Sequence, residues 1–405
     1  MTTQFLRIVP RDPMIARDGR PFGAAAGHRM RSLDWPLPST LAGAVRTLLG
    51  TLDGGDFTEA VVARLKSLSV HGPLPFSDDQ LFFPAPADAA CDTDGNAVRL
   101  RPEACEGGVD LPFHLSPLLA PPETDLSKYG SPPAWWSLER MQAWLVDRGT
   151  PSIDFYRNHR AFRESPEKDE RTHVKIDAAS YTSSEGMLFT TTGLVLDHLV
   201  PPPESTPAPD ANPPFVALPS ELSLRVDCDS DQAEVRKLFS LLERVETSRP
   251  IGGERRISRV SAAAERHAAA WQLPDALGAE LASIKAGDAL RMVLATPAIF
   301  SDGWRPGWLK IEGDMLVGTP PGISAERLRL KLKAVANGRW DAVSGWSYEE
   351  GKRGPKPVRR MVPAGATYLF EVVACEGVDW SRLWLDPVSD GDAGRDGFGL
   401  AVWGL

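Results

Sequence analysis

The sequence lacks the cysteine pattern of a disulfide-stapled or zinc-binding protein. Its 405 residues include four cysteines, Cys91, Cys105, Cys228 and Cys375, which form no CxxC pair and no Cys/His cluster at zinc spacing. A disulfide framework and a structural zinc site are therefore not expected.

Targeting and membrane signals are also missing. The N-terminus, MTTQFLRIVPRD, has no basic region followed by an apolar run, which a signal peptide would need. No stretch approaches the roughly 18 uncharged apolar residues of a membrane span. We therefore expect a soluble protein of the reducing cytoplasm that makes no membrane contact.

Motifs of nucleotide and hydrolase chemistry are absent as well. The chain has no Walker A sequence, no GxGxxG after a predicted strand, no GxSxG elbow and no HExxH. We expect no cofactor, no metal and no catalytic centre of these common classes.

Proline is abundant, with 36 residues, and favours turns and long irregular connections over a helical bundle. Leu222, Leu224 and Val226 alternate with polar residues, as in a half-buried strand. A helix over 232–245 and a turn at 252–253 follow. Strand, helix, turn and strand are part of a ferredoxin-like unit, in which helices back an antiparallel sheet.

The predicted fold is α+β, with two ferredoxin-like (RRM-like) domains, antiparallel sheets and long irregular insertions. The first domain covers 1–185 and holds a Pro/Trp-rich insertion at about 72–150. The second covers 186–405 and carries a basic β-hairpin at about 327–373, whose first strand has a clear period of two.

Charge is unevenly distributed along the chain. The net charge is -9, which argues against a simple non-specific nucleic-acid binder. Residues 1–50 nevertheless hold seven arginines and three aspartates, a net of +4, and residues 327–360 hold ten basic and three acidic residues, a net of +7. Basic segments on an acidic chain indicate a contact surface for an anion.

The segment Arg17–Arg46 is the strongest anion-binding candidate. Its glycines let backbone amides approach an anion, and guanidinium groups match phosphate geometry. The alternative is a solvated loop whose arginines pair with Asp12, Asp18 and Asp34, but three acids cannot neutralise the seven arginines of residues 1–50. Ser39 is the predicted N-cap of the following helix, and Gly50 its C-cap. The candidate contacts here are Arg17, Arg20, His28, Arg29, Arg31, Ser39 and Arg46.

Two further basic features are weighed against plainer interpretations. Arg255 and Arg256 follow a Gly-Gly turn, which could equally be an ordinary hairpin. Arg329 and Lys331 belong to a strand with one cationic face, which solvent or an acidic neighbouring strand could also balance. Trp340, Trp346 and Tyr348 could stack on bases, although single tryptophans are more often core or interface residues.

Histidines leave a catalytic alternative open. His28 lies in the arginine-rich loop, and His173 and Lys175 lie in the segment RTHVKID. A metal-free ribonuclease needs an acid and a base near the 2′-hydroxyl. The plainer interpretation is that each histidine bonds a backbone group or a phosphate.

Several segments together resemble the family formed by the third subunit of the type III-B CRISPR Cmr effector complex, in the RAMP superfamily. They are RDGRPFG (17–23), WPLPSTLAGAVR (35–46), HVKID (173–177), GMLF (186–189), GGERR (252–256), SGW (344–346) and VPAGATY (362–368). The glycine-rich end, 394–404, is similar to the glycine-rich loop of that superfamily.

This resemblance implies two ferredoxin-like domains and a non-catalytic role. It implies that the chain holds the repeat-derived 5′ tag of the guide RNA in a ribonucleoprotein for antiviral defence. Its partners would then be the guide RNA, the large polymerase-like subunit and the backbone RAMP subunits. Two alternatives remain: a metal-independent endoribonuclease that processes guide RNA, and a protein-interaction module without RNA contact.

Overall fold

The computed structural model describes residues 2–17, 28–103, 110–122, 124–128, 131–147, 153–155, 160–200, 216–218, 220–347, 351 and 353–405. Its helices are α1 (Pro38–Leu52), α2 (Glu59–Ser67), α3 (Leu138–Val146), α4 (Ala233–Ser240), α5 (Glu265–Ala270) and α6 (Asp275–Ala282). Short 3-10 turns occur at Pro112–His114, Leu241–Arg244, Gly253–Arg255, Trp380–Arg382 and Gly391–Asp396. No helix in these ranges is long and apolar enough to span a bilayer.

The strands are numbered in chain order. Up to residue 228 they are β1 (Thr2–Pro10), β2 (His28–Arg29), β3 (Ser69–Ser77), β4 (Gln80–Pro84), β5 (Ala89–Cys91), β6 (Ala97–Arg99), β7 (Arg101–Pro102), β8 (Leu118–Leu119), β9 (Trp135–Ser137), β10 (Phe162–Arg163), β11 (Glu167–Ile176), β12 (Ser183–Val195), β13 (His198–Val200), β14 (Val216–Leu218) and β15 (Glu221–Cys228). After it they are β16 (Glu246–Pro250), β17 (Ile257–Ala262), β18 (Ala289–Leu294), β19 (Leu309–Glu312), β20 (Met315–Gly318), β21 (Leu328–Ala336), β22 (Asp341–Val343), β23 (Trp346–Ser347), β24 (Gly354–Pro355), β25 (Arg359–Met361), β26 (Thr367–Cys375), β27 (Asp386–Pro387) and β28 (Leu400–Gly404).

The first ferredoxin-like unit is built from β1, α1, β3, β15, α4 and β17. Its central strands lie in the order β3-β15-β1-β17, and every neighbouring pair is antiparallel. This is the order that a β-α-β-β-α-β unit adopts. The apolar face of α1, with Leu41, Val45 and Leu48, shares one hydrophobic core with Leu222 and Leu224 of the sheet. The predicted α+β class and the first ferredoxin-like unit are confirmed.

The second unit repeats the same strand order with β21-β26-β18-β28, again all antiparallel. Helices α5 and α6 contribute Ala270, Leu277 and Leu281 to its core. The chain between β18 and β21 forms the hairpin β19–β20 instead of a helix. A second ferredoxin-like unit, with β21 and β26 as adjacent strands, therefore agrees with the prediction.

The predicted domain boundary at residue 185 does not separate these sheets. β15 and β17 lie beyond it, yet they pair with β1, so the first unit runs to Ala262. The residues between β3 and β15 form one long insertion, and its predicted start near 72 falls inside β3. Strand pairing between residues more than 200 positions apart has no local sequence signal, which explains the error.

A buried charge network joins the two units. Asp227 Oδ2 lies 3.0 Å from His71 Nε2 and accepts a hydrogen bond from Arg225 Nε at 3.0 Å. Arg225 Nη2 also lies 3.7 Å from Asp386 Oδ1 on β27 of the second sheet. Burial raises the pKa of Asp386 to about 6; the Arg225 guanidinium opposes this rise and the Asp227 carboxylate adds to it. Burial also lowers the pKa of His71, against the hydrogen bond with Asp227.

Candidate nucleic-acid interface

The extended segment 14–17 brings three predicted basic elements together. Met14 pairs with Leu194 at the end of β12, where the two N···O distances are 2.9 and 2.7 Å. The carbonyl of Ile15 accepts a hydrogen bond from the amide of Gly253 at 2.8 Å. Arg17, which is exposed, forms an antiparallel bridge with Ser32. The loop after β1, the GGERR turn and the segment before α1 therefore meet here.

Close backbone packing requires the glycine at position 252. Its φ is +81°, and a Cβ at this position would lie 2.5 Å from the carbonyl oxygen of Ile15. This approach holds the β16–β17 turn against the segment 14–17. Arg255 is consequently exposed and Arg256 half-buried beside that segment, so the predicted sharp turn at 252–253 is confirmed.

A three-stranded sheet carries the next group of predicted residues. Its order is β11-β12-β2, and β2 runs parallel to β12 with Arg29 opposite Thr190 and His28 opposite Phe189. On β11, His173 stacks on Phe189 with a ring-centroid distance of 5.2 Å, and its Nε2 lies 2.9 Å from the hydroxyl of Thr191. Backbone pairing therefore places His173 and the start of the arginine-rich segment in one sheet.

Two of the three nearby acids bind other groups. Asp12 accepts a hydrogen bond from the amide of Ile257 at 3.1 Å, and Asp34 pairs with Lys168 at 2.6 Å. Asp18, a predicted ion-pair partner, and Arg20, a predicted RNA contact, lie outside the described residues. The side chains of Arg29, Arg31 and Arg255 are exposed, and none makes an ion pair with a described residue. We call the surface formed by Arg17, Arg29, Arg31, Arg255 and Arg256 the N-terminal basic surface.

Arg46, a predicted RNA contact, binds other parts of the chain in the structure. Its Nη1 pairs with Asp396 Oδ1 at 2.5 Å, and its Nη2 donates to the carbonyls of Leu68 at 3.0 Å and Arg395 at 3.1 Å. These partners occupy both terminal nitrogens. Arg46 therefore fastens the glycine-rich C-terminal loop to α1 and to the start of β3.

The predicted caps of α1 are both displaced. Pro38 is the first helical residue, so the N-cap is Leu37 and Ser39 lies half-buried in the first turn without a capping bond. The helix runs past Gly50 to Leu52, with Asp53 as C-cap. A Cβ at Gly50 would lie 2.4 Å from the ring of Phe57, so this glycine serves packing and does not end the helix.

The cationic strand face of β21 is largely balanced within the sheet. Arg329 pairs with Glu312 on β19 at 2.5 Å. Lys331 and Lys333 lie 3.8 and 3.4 Å from Glu371 on β26. The acidic-neighbour interpretation therefore describes this face, and Arg329 and Lys331 are weaker RNA candidates than the N-terminal basic surface.

Lys175 lies far along the β11–β12 hairpin and is exposed. The pairing of the two strands shifts between Val174 and Ile176, which places Lys175 at a bulge. Val174, Ile176 and Leu188 are also exposed, so this part of the hairpin has no core of its own. Lys175 is thus separated from the segment 14–17 by most of the strand.

One buried cluster imitates a hydrolase triad but is inaccessible. Ser223 Oγ lies 3.1 Å from His267 Nδ1, whose Nε2 lies 3.4 Å from Glu221 Oε2. Ser223 and His267 are both 0% exposed, Trp271 Nε1 donates to the serine oxygen at 2.9 Å, and the imidazole stacks on Phe76. No substrate can reach this serine. The cluster links β15 of the first unit to α5, which contributes to the core of the second. Within the described residues, no three His, Cys, Asp or Glu side chains converge as metal ligands do.

Comparison with known proteins adds the family. The model of a family described as CRISPR-associated protein (Cas_Cmr3) matches residues 6–405. No curated protein matches the chain. Among solved structures, a chain of a type III-B Cmr-β complex bound to cognate target RNA and AMPPnP is 13% identical, with 90% of this chain and 86% of that chain covered and a TM-score of 0.42. A chain of the Csm3–Csm4 subcomplex of a type III-A CRISPR-Cas interference complex is 10% identical, with 92% and 94% covered and a TM-score of 0.36.

Proposed function

Because the chain belongs to the Cas_Cmr3 family of CRISPR-associated proteins and is a subunit of a type III effector complex, we propose that it binds the 5′ tag of the guide RNA. In this proposal the N-terminal basic surface holds RNA phosphates, and other surfaces bridge the large polymerase-like subunit to the backbone subunits. The proposed compartment is the cytoplasm, where thiols such as Cys228 and Cys375 stay reduced.

The observation that carries the proposal is the convergence of exposed, unneutralised arginines. Arg29 and Arg31 are more than 200 residues from Arg255 in the sequence. The pairing of segment 14–17 with both parts of the chain brings them to one surface. Like charges that lack acidic partners are costly to assemble unless an anion binds among them. A planar guanidinium group can donate two hydrogen bonds to one phosphate, so a surface with several exposed arginines suits the phosphates of a fixed RNA end.

We propose a non-catalytic role at this surface. The ring of His173 contacts the Thr191 hydroxyl and the Phe189 ring, and these contacts suit a positioning or phosphate-binding role. General acid–base cleavage would need a second group within hydrogen-bond reach of the same ribose. Incubation of the purified chain with repeat RNA in EDTA should give no cleavage product; a product that disappears with His173→Ala would favour the endoribonuclease alternative.

The RNA-binding proposal is tested by the triple variant Arg29→Ala/Arg31→Ala/Arg255→Ala. Fluorescence anisotropy with a single-stranded RNA of the tag sequence measures affinity against salt concentration. Each lost phosphate contact makes the negative slope of log K against log salt shallower by about 0.7, so the triple variant should make it shallower by about 2. The assembled complex should also retain less guide RNA.

The matched control removes three exposed arginines that each pair with a carboxylate: Arg236, Arg266 and Arg382. Its salt slope and RNA retention should equal those of the unaltered chain. Equal slopes for the triple variant and the unaltered chain would refute the site. An absence of ultraviolet crosslinks between RNA and this chain in the complex would favour the interaction-module alternative.

A further inference from the structure

A second β-hairpin projects from the C-terminal unit between β21 and β26. Here β22 pairs with β25 and β23 with β24, so the described residues of 341–361 form a two-stranded arm. The base of the arm is buried, where Val343 and Met361 pack with Phe398 and with Leu37 at the start of α1. The base of the arm therefore packs against the start of α1.

The arm and the residues that lead into it are basic and aromatic. The segment 337–361 holds six basic and three acidic residues, a net of +3; its described cations are Arg339, Arg353, Lys356, Arg359 and Arg360. Trp340 is 48% exposed and Trp346 is 54% exposed. The guanidinium of Arg360 lies 5.0 Å from the centroid of the Trp340 ring. Two large exposed indoles in a cationic setting are typical of a surface that stacks nucleobases.

A cavity of about 600 Å³ lies at the base of the arm, between Arg359 and Arg360 on one side and the 299–303 turn on the other. Its two carboxylates are already engaged. Asp390 accepts hydrogen bonds from the amides of Ser301 at 2.8 Å and Gly307 at 3.0 Å, and Asp302 pairs with Arg305. Arg359 and Arg360 make no ion pair with a described residue, so they are available to an anion in this cavity.

We infer that this arm is a second binding site for single-stranded RNA, in which Arg359 and Arg360 hold phosphate at the cavity and Trp340 and Trp346 stack on bases. The inference rests on the proposed RNA-binding function and extends it to the C-terminal unit. A cavity of this size accommodates one nucleotide. Stacking platforms next to a cationic groove bind single strands with little sequence preference, because every base has a flat face.

Two variants of the full-length chain separate the two kinds of contact. Arg359→Gln/Arg360→Gln should make the negative slope of log K against log salt shallower by about 1.4, for two phosphates of a single strand. Trp340→Ala/Trp346→Ala should weaken binding at least about tenfold and leave the slope unchanged, because stacking releases no counterions. The probe is a single-stranded RNA that contains 4-thiouridine, and its crosslinks should map to residues 340–360. Arg266→Gln/Arg382→Gln is the charge-matched control, and circular dichroism confirms that each variant is folded.

The outcomes distinguish this inference from the proposed function. If the arm variants bind RNA as the unaltered chain does while Arg29→Ala/Arg31→Ala/Arg255→Ala binds weakly, the arm is not an RNA site and the proposed function stands. If all variants bind as the unaltered chain does, both fail. If the arm variants keep their RNA affinity but the assembled complex loses a protein subunit, the arm is a protein contact and the inference is overturned.

Discussion

The substitution Arg46→Ala separates a structural role from the RNA contact that the sequence predicts. In the structure the guanidinium bridges Asp396, Leu68 and Arg395, and the side chain is 15% exposed. The substitution would remove one ion pair and two charge-assisted bonds to carbonyls. It would also leave the carboxylate of Asp396, which is 25% exposed, without its partner.

The expected cost follows from these contacts. A hydrogen bond to a charged group contributes about 1.5–3 kcal/mol, and the sum is reduced because the bonds share one side chain and the pair is partly solvated. We expect Arg46→Ala to destabilise the docking of the C-terminal loop by about 2–4 kcal/mol. At 1.36 kcal/mol per factor of ten, opening of this loop becomes about 30 to 900 times more frequent.

Hydrogen exchange measured by mass spectrometry is the appropriate assay, because a chain with two units need not unfold in one step. Peptides that cover residues 391–399 should lose protection by that factor. The surface variant Arg382→Ala should change protection by less than a factor of about three. RNA affinity should be unchanged where the Arg46→Ala protein is folded. Full protection of 391–399 in that protein, or weakened RNA binding with the loop still docked, would refute the reasoning.

Three further predictions concern single residues. Gly252→Ala should lower stability by about 1–3 kcal/mol, because φ is +81° and the new Cβ would lie 2.5 Å from the Ile15 oxygen; equal thermal midpoints would contradict this. Asp88→Ala should cost about 3–5 kcal/mol, because it removes the carboxylate that pairs with the buried Arg291 at 2.8 Å and leaves this cation only its hydrogen bond to the Leu405 oxygen; a denaturant midpoint within error of the unaltered protein would refute it. Asp386→Asn should stabilise the protein above pH 6. Folding raises the pKa of the Asp386 carboxyl to about 6, so the unaltered protein loses stability as the pH rises toward that value. The gain should disappear near pH 4, and a gain that is constant with pH would show that ionisation is not its cause.

Local patterns predicted the elements that depend on local forces. Period-two alternation over 327–333 identified β21, whose leucines are buried and whose cations are half-buried. Leu41, Val45 and Leu48 also follow helical spacing in the sequence, and they form the buried face of α1. Both patterns result from the contact of one face with the core, so they can be recognised without knowledge of the partner strand or helix.

Features that depend on residues far apart in the sequence could not be predicted from local patterns. Gly50 looked like a helix terminus because glycine favours the C-cap, whereas the ring of Phe57 requires a glycine within the helix. Arg46 looked like a phosphate ligand because its partner Asp396 is 350 residues away. The segment 17–31 was recognised as basic, but its convergence with Arg255 depends on a backbone contact of Ile15 that composition does not encode.

The central position of β1 in the first sheet has a consequence for synthesis of the chain. Its two neighbours, β15 and β17, begin at residues 221 and 257, so both edges of β1 stay unpaired while more than 200 residues are translated. At 5–20 residues per second this delay lasts about 10–50 s. An apolar strand that waits this long can pair with other nascent chains, and we expect holdase chaperones on the ribosome to protect it until residue 262 has emerged.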